Sequence, residues 1–258
     1  MGSLFDSDAF NSNCFFPRAD ASEPPAGAQD FQVPVPGASL HLRWHRSLEH
    51  APTVLLFHGN GEVVSDYDDA SPWAALRLNL AICDFRGYGR STGRPTLRSL
   101  IADAPVVAGF VGARTDRPVI VMGRSLGSAC ALALFGSAHP AVSGVVLESG
   151  FVDLDGLVRR RGLAPPARYT AEESSLFDPR PKVMKGRVPL LIIHGEEDRA
   201  IDAGEAREAH RLATTPNKRL ALIPRRGHND LSASPSYWEA LAQVWTWPGL
   251  TPPTAHRA

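Results

Sequence analysis

Cysteine is scarce in this chain of 258 residues, and neither sign of charge dominates it. Cys14, Cys83 and Cys130 are too few and too scattered for a disulfide framework or a cysteine-rich zinc site. Small thiols are ordinary core residues, and Cys83 and Cys130, inside apolar segments, are expected to pack. Lysine plus arginine and aspartate plus glutamate number 27 each, so no net field draws the chain to nucleic acid or to an anionic membrane surface. No run reaches the about 20 apolar residues of a membrane span, and residues 1–30 lack the basic start and apolar core of a secretory signal. A cytoplasmic protein is the expectation, with its oligomeric state left open. There is no internal repeat.

The length suits one large α/β domain with a sizeable core. Residues 1–30 show neither helical nor strand periodicity and are expected to form a mobile arm, although Phe15 and Phe16 offer apolar anchors. Residues 31–35 and 39–46, separated by Pro36-Gly37, predict an opening hairpin, the second piece alternating Leu40, Leu42 and Trp44 with polar neighbours. Short apolar runs without alternation follow at 53–57, 80–84, 119–122, 145–147, 190–193 and 220–223. Strands apolar on both faces belong in a parallel sheet covered on each side by helices. Helical candidates at 68–77, 97–111, 126–137, 203–212 and 235–244 alternate with them, which predicts an α/β fold with right-handed crossovers. The rhythm breaks over 153–187, a stretch rich in arginine and proline with one short helix expected around 154–161. This insert is too small for a core of its own and predicts a compact flap over the carboxyl edge of the sheet. Residues 249–258 are expected to fray as a tail.

Gly123-Arg124-Ser125-Leu126-Gly127 lies between an apolar strand and the small-residue run Ser128 to Leu134. A G-x-S-x-G in that setting predicts a nucleophile elbow, a turn so tight that the flanking positions must lack side-chain bulk. A serine hydroxyl attacks only when a base takes its proton, and the base must be held by an acid. In doubly wound sheets such groups collect after the carboxyl ends of strands. Of nine histidines, that rule leaves His58, His194 and His228. His58 and His194 each end a strand before a glycine, a setting in which histidine more often satisfies local backbone groups. His228 sits in the polar loop Arg226-Gly227-His228-Asn229-Asp230 after the last strand, from which an imidazole can swing over the sheet edge, and is taken as the base. A histidine base also predicts activity that declines on the acid side, around pH 6 to 7. For the acid, Asp198 in His194-Gly195-Glu196-Glu197-Asp198 is preferred, because the loop must leave the strand before a short side chain can turn back. Glu196, Glu197 and Asp202 are the alternatives, each a plausible solvated charge.

A tetrahedral oxyanion needs donors fixed in advance. The N–H of Leu126, at the helix start, is one candidate. The other comes from His58-Gly59-Asn60-Gly61, where two glycines permit a bend that turns the amide of Asn60 or Gly61 inward, and Asn60 is preferred.

His58-Gly59-Asn60-Gly61, the turn Asp84-Phe85-Arg86-Gly87-Tyr88-Gly89-Arg90-Ser91, the elbow at 123–127, the His194-Gly195…Asp198 segment and Gly227-His228 together resemble the α/β-hydrolase superfamily. The order Ser125, Asp198, His228 is also the order of that superfamily. The likeness runs over about residues 31–247 and is nearest to the lysophospholipase-like, serine aminopeptidase-like and depalmitoylase-like branches, which lack a large cap. It implies a mostly parallel sheet of about eight strands with helices on both faces, spanning residues 31–248 with the small flap included. It also implies a serine hydrolase that cleaves carboxylic esters or thioesters through an acyl-enzyme on a small acyl substrate, with no cofactor and no metal. An amidase or peptidase, an acyltransferase, and a non-catalytic interaction module on the same fold remain as alternatives. Arg86, Tyr88 and Arg90 are expected to brace loops beneath the site. Arg159, Arg160, Arg161 and Arg168 suit a solvated helix face, with a cationic rim for an anionic substrate as the rival reading.

Overall fold

The computed structural model describes residues 3–250. Eight strands form one sheet in the order β1-β2-β4-β3-β5-β6-β7-β8. β1 (Ala28–Val35) and β2 (Ala38–His45) make the expected hairpin, and β2 also runs antiparallel to β4 (Asn79–Cys83). β3 (Thr53–Phe57), β5 (Val119–Arg124), β6 (Val142–Glu148), β7 (Leu190–Gly195) and β8 (Lys218–Ile223) continue the sheet in parallel from β4. Every side chain of β3 and β4 is buried, as apolar runs without alternation require. The two faces feed separate cores: Leu55, Phe57 and Val121 face one, Val54, Leu56 and Ile120 the other. α3 (Leu97–Gly112), α4 (Ser128–Ser137) and α8 (Ala203–Leu212) cover the first face, and α9 (Pro235–Leu241) with Trp73 of α2 (Ser71–Ala75) covers the second.

Two segments differ from the sequence expectation. Where a mobile arm is expected over 1–30, the structure has a helix, α1 (Asp8–Cys14), capped by the Ser7 side chain. Phe5, Phe10, Cys14 and Phe15 are buried in the first core, and the Asn11 amide donates to the carbonyls of Phe5 and Ser7. These apolar groups are irregularly spaced, so no periodicity announces them; they are held by contacts with distant elements, Phe5 against Phe177 at 4.3 Å between ring centroids. The second segment is 153–187, which holds three helices: α5 (Leu154–Arg160), α6 (Ala171–Phe177) and α7 (Pro179–Lys185). α7 packs on α4 and is the last helix of the crossover from β6 to β7. Its prolines fall at the start of the helix, where the missing N–H has no intrahelical partner to lose. Residue 249 and Leu250 are described, Leu250 being buried, while residues 251–258 of the expected tail lie outside the described residues. Among the described residues no helix is long and apolar enough to cross a membrane.

Candidate active site

The elbow is built by close approach. Ser125 sits at the end of β5 with φ 49°, in the left-handed region, a conformation that is disfavoured for residues with a Cβ. A Cβ on Gly123 would overlap the Gly127 carbonyl and Ala131, and one on Gly127 would overlap the Phe57 carbonyl of β3. The two glycines are therefore what lets α4 begin directly beneath the serine.

His228 reaches the elbow from the loop after β8. Its Nε2 lies 2.9 Å from Ser125 Oγ, and its Nδ1 lies 2.7 Å from Asp198 Oδ2. Asp198 stands in the loop after β7, where its Oδ1 accepts from the N–H groups of Ala200 (2.8 Å) and Ile201 (2.9 Å). Burial opposes the charge of Asp198, but hydrogen bonds from His194, His228 and the Ile201 N–H outweigh it and hold the carboxyl well below the ordinary carboxylate range. An ionised carboxylate only accepts, so His228 donates from Nδ1 and presents the Nε2 lone pair to the Ser125 hydroxyl. His194 is fully buried and donates to the Ile201 carbonyl at 2.8 Å, with Asp198 Oδ2 at 3.2 Å. His58 is also fully buried and bonds the Gly59 carbonyl at 2.7 Å. Both serve loop geometry, and neither meets Ser125. Glu196, Glu197 and Asp202 are exposed, Asp202 capping α8.

Asn60 and Leu126 line one cavity of about 260 Å³ with Ser125 and His228. The Asn60 side chain is committed elsewhere: its Oδ1 accepts from the Tyr88 hydroxyl (2.6 Å) and the Phe16 N–H (2.9 Å), and its Nδ2 donates to the Cys14 carbonyl (3.0 Å). Any donor that Asn60 offers the cavity is therefore its backbone N–H. Of the residues expected to brace the glycine-rich turn, Tyr88 acts through Asn60, Arg86 pairs with Asp103 at 2.7 Å, and Arg90 holds Glu23 and Asp30.

Behind the elbow lies a polar network that the spacing of the sequence does not signal. Arg124 pairs with Glu62 and, through Nε at 3.1 Å, with Glu148. Its Nη2 donates to the Asn229 side chain at 2.9 Å and to the His228 carbonyl at 3.4 Å. Glu62 accepts from the Gly59 N–H (2.6 Å) and the Tyr67 hydroxyl (2.6 Å), and Glu148 from the Tyr237 hydroxyl (2.7 Å). One guanidinium thus ties together the loops carrying Asn60, Ser125 and His228. Burial opposes its charge, but Glu148 and Glu62 prevail and raise its pKa. Glu148 ends a buried strand at the carboxyl edge, and that position was the one available signal. Among the described residues no group of three or more acidic, histidine or cysteine side chains could hold a metal ion.

Residues 49–186 match the model of a family described as serine aminopeptidase, S33. The chain is 28% identical over 204 residues to protein bem46 of Schizosaccharomyces pombe, covering 76% of this chain and 68% of that protein. It is 30% identical over 183 residues to the uncharacterised protein YfhR of Escherichia coli O157:H7, covering 69% of this chain and 63% of that one. The matches thus span about two thirds of the length of these relatives. Among solved structures, the Pyrococcus furiosus esterase Pf2001 superposes with a TM-score of 0.71 at 16% identity, over 91% of this chain and 99% of the other. Acetyl xylan esterase 1 from Thermoanaerobacterium sp. JW/SL YS485 does so with a TM-score of 0.62 at 20% identity, over 90% and 92%. Likeness at this identity establishes the fold, an eight-stranded, mostly parallel α/β-hydrolase sheet.

Proposed function

The chain belongs to the serine aminopeptidase, S33 family, within the α/β-hydrolase superfamily, and from that premise we propose that it is a serine hydrolase of carboxylic esters or thioesters. The observation that carries this reading is the single imidazole of His228 standing between Ser125 Oγ at 2.9 Å and Asp198 Oδ2 at 2.7 Å. Ser125 Oγ attacks the acyl carbon while His228 Nε2 takes its proton, and Asp198 holds the imidazole in the required tautomer and stabilises the imidazolium. The N–H groups of Leu126 and Asn60 receive the oxyanion, a contribution worth about 3–4 kcal/mol of barrier for a single donor. His228 then protonates the leaving group, and a water activated by the same nitrogen releases the acid from Ser125. Nothing in this sequence of steps calls on a metal or cofactor.

The family description favours one rival, cleavage of an aminoacyl amide. An α-ammonium group would need a free carboxylate in the cavity. Glu62 is the one acidic side chain on its wall, and it is taken by Arg124, the Gly59 N–H and Tyr67. Ester chemistry is therefore the better fit. A fluorophosphonate probe is expected to label the wild type, with labelling lost in Ser125→Ala and His228→Ala. Screening p-nitrophenyl esters of rising chain length beside acyl-CoAs and aminoacyl anilides then ranks the substrate classes. Turnover confined to anilides would hand the site to the rival.

A further inference from the structure

The four arginines of the flap do not share one fate. Arg159 points to solvent and pairs with Asp155 one turn earlier at 3.6 Å, and Arg168 is exposed. Arg160 and Arg161, at the end of α5, instead line the cavity that holds Ser125 and His228. The charges on that cavity wall are not balanced. Arg124 is offset by Glu62 and Glu148, and Arg160 by Glu205 through one nitrogen, leaving its buried Nη2 without a partner. Arg161 has no carboxylate partner among the described residues, and its buried Nε donates to nothing. Beside it lie the Cys14 thiol, which burial pushes up to about 11, and the Tyr88 phenol, which burial also raises. Both are neutral near pH 7 and leave the cation uncompensated. Leaving a buried donor unsatisfied is costly, and a guanidinium with no carboxylate partner among the described residues, whose Nε donates to nothing, has a hydrogen bond to offer an anion in this cavity. Phe151, Leu157 and Ile201 add apolar surface to the wall, and a cavity of about 260 Å³ suits a small acyl compound.

We infer that this cavity takes small esters carrying an anionic oxygen group, a carboxylate or a phosphate, a few atoms from the scissile carbonyl, with Arg161 as the receiving cation and Arg160 as the second donor. The inference rests on the serine-hydrolase reading and names its substrate class.

The test compares kcat/KM for two matched pairs. p-Nitrophenyl hemisuccinate against p-nitrophenyl pentanoate places a carboxylate on the acyl side, and 4-acetoxyphenyl phosphate against 4-methylphenyl acetate places a phosphate on the leaving group. The wild type is expected to prefer the charged member of at least one pair, which identifies the anion. In Arg161→Gln the charged-to-neutral ratio falls about tenfold or more, Arg161→Lys keeps part of it, and Arg159→Gln keeps all of it. A ratio unchanged by Arg161→Gln overturns the inference. Should none of the four esters turn over, calorimetric binding of monomethyl succinate to Ser125→Ala and to Ser125→Ala/Arg161→Gln decides it. Affinity lower by about tenfold in the double variant upholds the subsite, and equal affinity removes it. Fluorophosphonate labelling reports separately on the serine.

Discussion

Asp198 concentrates four hydrogen bonds on one carboxylate, two from backbone and two from imidazoles. Its folded-state pKa is depressed, so the stability it contributes is present above the ordinary carboxylate range and is lost as pH falls through the folded value. Asp198→Asn keeps the shape but lets His228 take the wrong tautomer. A drop in kcat of about 10³–10⁴-fold with KM little changed is expected in steady-state kinetics, together with a flatter acid limb in melting temperature against pH. Arg124 is the second pivotal residue. Arg124→Met leaves Glu62 and Glu148 facing each other without a cation, and urea unfolding is expected to show a loss of about 3–5 kcal/mol. The sequence disclosed the two sites unequally. Ser125, Asp198 and His228 were legible because each follows a strand end in a motif with a chemical reason. Glu62, Arg124, Glu148 and Tyr237 come from a loop, two strand ends and a helix, and only the fold brings them together.

At the scale of the element, β3 to β7 were legible as apolar runs because a strand covered on both faces has no polar side to confuse the pattern. α1 and α7 were not, since α1 spaces its buried Phe10 and Cys14 among polar residues and α7 opens on two prolines, which read as a break. Tertiary contacts stabilise them instead. On α7, burial lowers the Lys182 pKa to about 8, against the pull of Asp178, while its Nζ donates to the Leu176 carbonyl. Between about pH 8 and the ordinary lysine range the unfolded chain therefore binds the extra proton, and folding stability from this group rises with pH. Removing the amine in Lys182→Met is expected to abolish that upward slope in denaturant midpoints taken from pH 8 to pH 10.

The whole molecule separates scaffold from chemistry along the strands. A cleft of about 690 Å³, lined by Trp44, Arg46, Thr53, Asn79 and Arg114 among others, opens at the amino ends of β3 and β4, well above the 260 Å³ of the serine cavity. Size alone would choose the wrong one, because reactive groups in such sheets gather at the carboxyl ends. Arg114→Ala is expected to leave ester hydrolysis within about twofold of wild type, measured beside Ser125→Ala. The serine cavity also depends on the start of the chain. Three hydrogen bonds join Cys14 and Phe16 to Asn60 and Tyr88, though no strand of the sheet begins before Ala28. Cutting the chain just before Ala28 would thus strip Phe5, Phe10, Cys14 and Phe15 out of the core and undo the clasp on the loop beside the serine.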